Sequence, residues 1–310
     1  MSRHAHRVIT LSAPPPRSGA NVTTLLRTTA LVAVALTLLA LLSPALHVSE
    51  AVARVLGISM AIGALLLTAS AAPSQGARRI GWFLGLTAVY ALLFSLELGP
   101  STPALLCLLT LLMLTTAAII GGYIGSLLEF PGMLLVVSYV AALADCCSVF
   151  HPQGFTAQVL QHPKALALLT LSVPVFGTDE IHSVVGIGDV AFVSLFVAGA
   201  RVTGLRTRRT LVALGAAMAL VALCTELANT ALPALPFLGS AVLLAHPEAR
   251  RLPAAQTRRI GFNLAFVTLV MGAMLWSAAD QRRVADELEQ TSALPPSAQH
   301  AVTSSSVEPI

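Results

Sequence analysis

The segment at 184–200, VVGIGDVAFVSLFVAGA, is apolar enough to cross a membrane, yet its GIGD motif at 186–189 contains a carboxylate. An aspartate well inside a membrane span costs about 2.5–3.5 kcal/mol on insertion scales. Some other part of the chain must therefore offset the free-energy cost of placing Asp189 in the membrane, and the surrounding sequence indicates which part.

The amino-acid composition indicates whether the protein folds in water or in a membrane. The chain has 310 residues, of which 56% are hydrophobic and only 10% are charged, and its mean hydropathy is +0.82. The apolar residues occur in blocks of about 20, the length that crosses a bilayer as a helix. We therefore expect an all-α fold, a polytopic transmembrane helical bundle. The net charge of +4 does not indicate a nucleic-acid partner, because the arginines cluster between the apolar blocks.

Apolar runs separated by Pro, Gly or charged residues predict about nine spans. They are 28–47, 51–72, 80–98, 103–127, 131–150, 184–200, 210–228, 232–246 and 259–277. A further apolar stretch, 165–177, contains a proline and is too short to cross, so we expect it at the interface or beside the bundle.

These spans divide the chain into five regions. We predict a disordered basic tail, amino-terminal helices, a transmembrane core with a loop at 151–183, an additional span and a disordered tail, at 1–24, 25–127, 128–246, 247–277 and 278–310. The four cysteines form neither a disulfide framework nor a CxxC metal pair.

Basic residues predict the orientation. If the nine spans are right, 14 of the 18 Lys and Arg residues lie on the side of the amino terminus, which should then be cytoplasmic. A tenth span at 165–177 would move the two strongest arginine clusters to the other side, and we reject it for that reason.

A second aspartate lies at the depth of Asp189. Asp145 is about five residues from the outer end of span 131–150, and Asp189 is about five residues into span 184–200 from the same side. Two facing carboxylates cannot both ionise, so such a pair holds one proton and can activate a water molecule against a carbonyl. The simpler interpretation is that each aspartate caps a helix end or accepts a hydrogen bond from a neighbour.

A third feature is the segment TALPALPFLGS at 230–240. Pro233 and Pro236 remove two backbone donors and disfavour helix before them, so free backbone groups are expected at the depth of both aspartates. An unwound backbone there can pair with an extended substrate strand, although prolines are also ordinary residues at a helix start.

In this order the three features resemble the presenilin and signal peptide peptidase family of GxGD intramembrane aspartyl proteases. The resemblance covers about 131–246 and includes a PAL motif after GxGD. It implies that Asp145 and Asp189 are the catalytic pair and that Gly186 and Gly188 shape the helix at the site. It also implies a substrate-binding role for the motif formed by Pro233, Ala234 and Leu235, and it implies no metal or organic cofactor.

Two departures from the family pattern stand beside the resemblance. The family has tyrosine directly before the first aspartate, where this chain has Ala144, and Tyr139 is six residues away. The signature helices are the sixth, seventh and ninth in the family, but the fifth, sixth and eighth in our count.

Alternatives therefore remain. The chain could be a protease that resembles the type IV prepilin peptidases, although a lysine usually follows GxGD there and VAF follows here. It could also be an ion-coupled transporter or an inactive protein that binds substrates without cutting them.

The expected partners are transmembrane segments or remnant signal peptides as substrates, together with membrane lipid. The Ala, Leu and Arg bias with a single lysine suggests a bacterial protein of the inner membrane. The sequence predicts neither the cleaved bond nor the oligomeric state.

Overall fold

The computed structural model describes residues 22–46, 48–73, 102–151, 153–178, 181–228, 230–252 and 254–292, together with Gly85, Ala88, Val89 and Leu92. Except for those four residues, the predicted span 80–98 lies outside the described residues, as do most of the two predicted tails. Within the described part, ten α-helices and one two-stranded sheet form the fold.

Helices are named α1 to α10 in chain order. They are Val22–Leu42, Glu50–Ala71, Pro103–Ser126, Met133–Phe150, Phe155–Gln161, Pro163–Leu169, Ile187–Val202, Thr207–Ala228, Leu235–Ala245 and Ala254–Ser292. Strands β1, Thr170–Pro174, and β2, Ile181–Gly186, form an antiparallel hairpin between α6 and α7.

Six of these helices are long and apolar enough to cross a membrane: α1, α2, α3, α4, α8 and the part of α10 at 260–277. The chain is thus a multi-span helical membrane protein. Two predicted spans are shorter as helices, because α7 has 16 residues and α9 has 11. At 1.5 Å per residue they measure about 24 and 17 Å, less than the roughly 30 Å of a bilayer core.

Extended backbone accounts for both short helices. Residues 184–186 belong to β2, because the β-branched residues of IHSVVG favour a strand paired with β1. Residues 231–234 are not helical; Pro233 lies within this segment and cannot donate a backbone hydrogen bond. The region 151–183 is not an open loop either: it contains α5, α6, β1 and the start of β2, and the stretch 165–177 does not cross.

The carboxyl-terminal region differs from the prediction. Helix α10 continues to Ser292, so the expected disorder from 278 onward is wrong for 278–292. The sequence DQRRVADELEQ is rich in good helix formers, with Arg282 and Asp286 at a favourable i,i+4 spacing, which explains the continuation.

The core of the bundle is α7. Val190, Val193, Phe196 and Val197 are fully buried there. Glycines of α3 let the two helices approach closely, since a Cβ on Gly121 or Gly125 would collide with backbone atoms of α7. Gly121 lies against Ala191 and Gly125 against Leu195, so α3 and α7 run in the same direction.

The same reasoning gives the other directions. Arg201 at the end of α7 donates to carbonyls of Ser70 and Ala72 at the end of α2, so these two helices are also parallel. Asp145 contacts Leu235 and Ser138 contacts Gly239, so α4 and α9 are antiparallel. We call the end of the bundle at which α7 begins the upper end. There α2, α7 and α9 begin and α4 ends, which brings both aspartates to one end.

Candidate active site

Helix α4 positions the first aspartate. Asp145 is half-buried, and its Oδ2 atom accepts a hydrogen bond of 2.9 Å from the backbone N–H of Leu235. Leu235 is the first residue of α9, and N–H groups in the first turn of a helix have no partner within that helix. The carboxylate therefore lies at the positive end of a helix dipole, which favours negative charge.

The second aspartate lies where β2 becomes α7. Asp189 is in the first turn of α7, and its Oδ2 atom accepts a hydrogen bond of 3.2 Å from the backbone N–H of Gly186. Gly186 is the last residue of β2 and the residue that precedes the helix. The strand-to-helix transition thus holds this carboxylate at the amino terminus of α7, a helix whose residues from Val193 to Ala200 are all buried.

Both carboxylates lie beside the PAL segment: Asp145 accepts a hydrogen bond from Leu235, and Asp189 lines one cavity together with Ala234. Both hydrogen bonds are those of helix caps, so the simpler interpretation explains each aspartate individually. It does not explain why two caps from different helices meet at one point of the bundle, where repulsion between two ionised groups would oppose folding. If one group carries the proton, the pair becomes stable and also suited to acid–base chemistry.

The PAL segment is at the same place. Pro233, Ala234 and Leu235 are all buried, and the backbone is irregular before Leu235. The prediction of an unwound segment level with the aspartates agrees with this geometry. One of its free backbone groups, the N–H of Leu235, binds Asp145 directly.

The glycines of GIGD differ from what helix packing would require. A Cβ on Gly188 would meet no described atom within 4 Å, and a Cβ on Gly186 would meet only Asp189 Oδ2, at 3.5 Å. Neither glycine therefore serves the approach of a neighbouring helix among the described residues. The space beside Gly188 is open, and a role toward substrate stays a prediction.

A cavity of about 430 Å³ opens beside Asp189. It lies between α2, the hairpin, α8 and the PAL segment, and Asp189 and Ala234 are both in its wall. Most of its wall is apolar, with Ile58 and Ile62 from α2, Val184 and Val185 from β2, and Val221 from α8 among the lining residues. Such a cavity has the size of small-molecule and peptide sites in proteins.

Sequence reasoning missed the charged rim of this cavity. Arg54 of α2 lines it and forms ion pairs with Glu226 of α8, at 2.7 Å, and with Glu50, at 2.8 Å. In the sequence, Arg54 lies near the start of the predicted span 51–72, and Glu226 lies near the end of the predicted span 210–228. Their positions near the same end of two predicted spans were the signal that could have paired them.

The departure at Ala144 is not compensated by Tyr139. Ala144 is exposed, and the hydroxyl of Tyr139 forms a hydrogen bond of 2.7 Å with the hydroxyl of Thr268 on α10. Tyr139 thus contacts the last helix. Within the described residues, no group of three or more His, Cys, Asp or Glu side chains is arranged to hold a metal ion.

The fold and the site define a class: a multi-span helical membrane protein with two interacting aspartates at one end. The chain matches no protein-family model and no curated protein. The resemblance to the GxGD proteases therefore rests on the motifs and on their order in the sequence.

Proposed function

We propose that the protein is an intramembrane aspartyl endopeptidase that hydrolyses peptide bonds within transmembrane segments or remnant signal peptides. The observation that carries the proposal is that both aspartates lie beside the PAL segment: Asp145 binds the N–H of Leu235, and Asp189 shares a cavity wall with Ala234. Three segments far apart in the sequence converge there, and capping alone requires no such convergence.

Hydrolysis needs one ionised and one protonated carboxyl group. The ionised member takes a proton from a bound water, whose oxygen attacks the carbonyl carbon of the scissile bond. The protonated member donates its proton to the carbonyl oxygen. When the tetrahedral intermediate breaks down, the C–N bond breaks, the amine nitrogen takes the proton that the first carboxyl group removed from water, and a hydroxyl of the intermediate returns its proton to the second carboxylate. The products are a carboxylic acid and an amine, and the pair again holds one proton.

Extended backbone beside the aspartates can hold a substrate. Strand β2 leads directly into the Asp189 helix, and among the described strands only β1 pairs with it, along one of its two edges, so that β2 is an edge of this sheet. An extended substrate can add to such an edge, while the irregular backbone at 231–234 supplies further groups. Unwinding of the substrate is necessary because a peptide bond inside a helix is shielded by its own turns.

The relative directions of the helices support nine crossings. Helices α2 and α3 both end near Pro73, since a Cβ on Gly122 would lie 2.6 Å from the Pro73 carbonyl oxygen. The two helices therefore run in the same direction, as the nine-span prediction requires with span 80–98 between them. Extended residues before α7 and α9 would lengthen both short crossings.

Orientation determines the substrate class. With a cytoplasmic amino terminus, the upper end faces away from the cytoplasm, and the protein would be a bacterial inner-membrane protease. A strand added to the site would then come from segments whose own amino end is cytoplasmic, as in remnant signal peptides.

The test is cleavage of single-span reporter peptides by the purified protein in lipid, with each peptide reconstituted in both orientations. Asp145→Ala and Asp189→Ala should abolish cleavage. Asp280→Ala is the matched control, because Asp280 is an exposed carboxylate on α10 beyond the apolar part of that helix.

Different results separate the alternatives. Cleavage that survives either aspartate variant would overturn the dyad. Ion flux that depends on Asp145, without proteolysis of any reporter, would favour a transporter. Retained binding of reporters without cleavage would favour an inactive substrate-binding protein.

A further inference from the structure

The cavity beside Asp189 has an apolar wall but a charged rim. Arg54, Glu50 and Glu226 form a three-residue ion-pair group, which we call the rim, and Arg54 and Glu226 line the cavity itself. Two carboxylates share one guanidinium, so the rim has a formal charge of −1. The three side chains are between 42% and 83% exposed, so a bound molecule can reach them.

The height of the rim above Asp189 follows from the parallel packing of α2 and α7. Arg201 contacts Ser70 and Ala72, which sets the two helices in register at their lower ends. Asp189 is 12 residues before Arg201 in α7. About 12 residues before the contact in α2 is residue 59, which therefore lies level with Asp189. Arg54 is about five residues further up, or roughly 8 Å at 1.5 Å per residue.

A substrate in the site would therefore pass the rim a short distance from the cleaved bond. An extended strand advances about 3.3 Å per residue, so roughly 8 Å corresponds to two or three residues. In the proposed orientation these residues lie on the carboxyl side of the scissile bond.

We infer that the rim selects substrates by charge and favours a basic residue two or three positions to the carboxyl side of the cleaved bond. This inference rests on the proposed function and adds a substrate class to it. A lysine or arginine there can bind Glu226 or the more exposed Glu50, while an acidic residue meets a guanidinium already occupied by two carboxylates. An apolar residue gains nothing from the rim.

The test uses one reporter peptide with Lys, Gln or Glu at those two positions, cleaved by the full-length protein in lipid, with the cut bond identified by mass spectrometry. The wild type should cleave the Lys peptide about two- to fivefold faster than the Gln peptide, the range that exposed ion pairs give. The Glu peptide should be slower than both, and the differences should shrink as ionic strength rises.

Variants change the rim charge in steps. Arg54→Gln gives a rim charge of −2, Glu226→Gln gives 0 and Glu226→Lys gives +1. The Lys-to-Glu ratio of kcat/KM should rise in the first, flatten in the second and invert in the third. Asp280→Asn removes one acidic charge far along α10 and should leave the ratio unchanged.

A purely structural ion pair would change stability or total rate in these variants but not the ratio. An unchanged ratio across the Glu226 variants would overturn the inference while wild-type cleavage still upheld the protease. Failure of the wild type to cut any peptide would instead remove the proposed function and this inference with it. If Arg54→Gln does not fold, the two Glu226 variants still decide the question.

Discussion

The carboxylate of Asp145 and the backbone N–H of Leu235, 90 residues apart in the chain, are joined by a hydrogen bond of 2.9 Å. In an uninterrupted helix the N–H of Leu235 would bind the carbonyl of Ala231. The irregular backbone around Pro233 prevents this hydrogen bond, so the N–H of Leu235 can bind Asp145 instead. The PAL segment thus acts on the first aspartate through its backbone, and its prolines determine which backbone group is free.

This relationship makes Asp145 both a helix cap and a candidate catalytic group, and two substitutions separate the roles. Asp145→Asn keeps a side-chain oxygen that can accept from Leu235, so its thermal stability in detergent should match the wild type. Asp145→Ala loses the acceptor and should be destabilised by about 1–2 kcal/mol. Both variants should lose about 10²-fold or more in reporter cleavage, because neither can transfer a proton. An active Asp145→Asn variant would show that Asp145 is only a cap.

Gly188→Ala should affect substrates but not the fold. No described atom lies within 4 Å of the added methyl group, so stability should stay equal or rise by up to about 1 kcal/mol, as for alanine in a helix. If the open space beside Gly188 receives the substrate backbone, KM for the reporter should rise. Gly63→Ala, at an equally open site on α2, should raise stability without changing KM. An unchanged KM for Gly188→Ala would remove this glycine from the substrate site.

Gly125→Ala, unlike Gly188→Ala, should destabilise the fold. Its Cβ would collide with backbone atoms of Leu195 and Gly199, and backbone cannot move aside as a flexible side chain can. We expect a loss of about 1–3 kcal/mol, measured by thermal unfolding in detergent. Gly272→Ala is the control, since no described atom would contact its methyl group on α10. Equal stability of the two variants would show that α3 and α7 pack less closely than described.

The sequence predicted those parts of the fold that composition and motif order determine. Apolar block length predicted the six long helices, and equal depth in two neighbouring spans predicted that Asp145 and Asp189 lie at one end of the bundle. The hairpin could not be predicted from the local sequence pattern. Val184 and Val185 have the pattern of an apolar span, and only pairing with β1 makes them part of a strand. Pairing of distant segments is a tertiary property.

The charged rim was missed for the same reason. Arg54 and Glu226 are 172 residues apart, and each has an ordinary explanation at a span end. Arg54 and Glu226 lie over one cavity because α2 and α8 are antiparallel, so that the start of α2 is beside the end of α8. The tight contact between α3 and α7 likewise depends on which neighbouring helix the Gly121 face of α3 meets. In an all-apolar helix no polar–apolar periodicity indicates which face meets which neighbour.

Arg201 should be necessary for the register of α2 and α7. It donates to the carbonyl oxygen of Ala72 at 2.8 Å and to that of Ser70, carbonyls at the end of a helix that have no partner within it. Arg201→Ala should lower the free energy of unfolding by about 1–3 kcal/mol, and Arg201→Lys should recover part of it. Arg206→Ala, at an exposed position in the following turn, should have little effect. If Arg206→Ala were as destabilising as Arg201→Ala, general charge loss would explain both.

Single cysteines in a cysteine-free background should show which end of the bundle faces the cytoplasm. Ser49→Cys and Thr178→Cys lie at the upper end, while Thr203→Cys and Thr257→Cys lie at the lower end near most arginine clusters. An impermeant maleimide should label the first pair in intact cells and the second pair only after permeabilisation, because basic residues remain on the cytoplasmic side. Labelling in the reverse order would place both aspartates toward the cytoplasm. The preferred substrates would then be segments whose amino ends are external, and the basic residue selected by the rim would lie on the amino side of the cleaved bond.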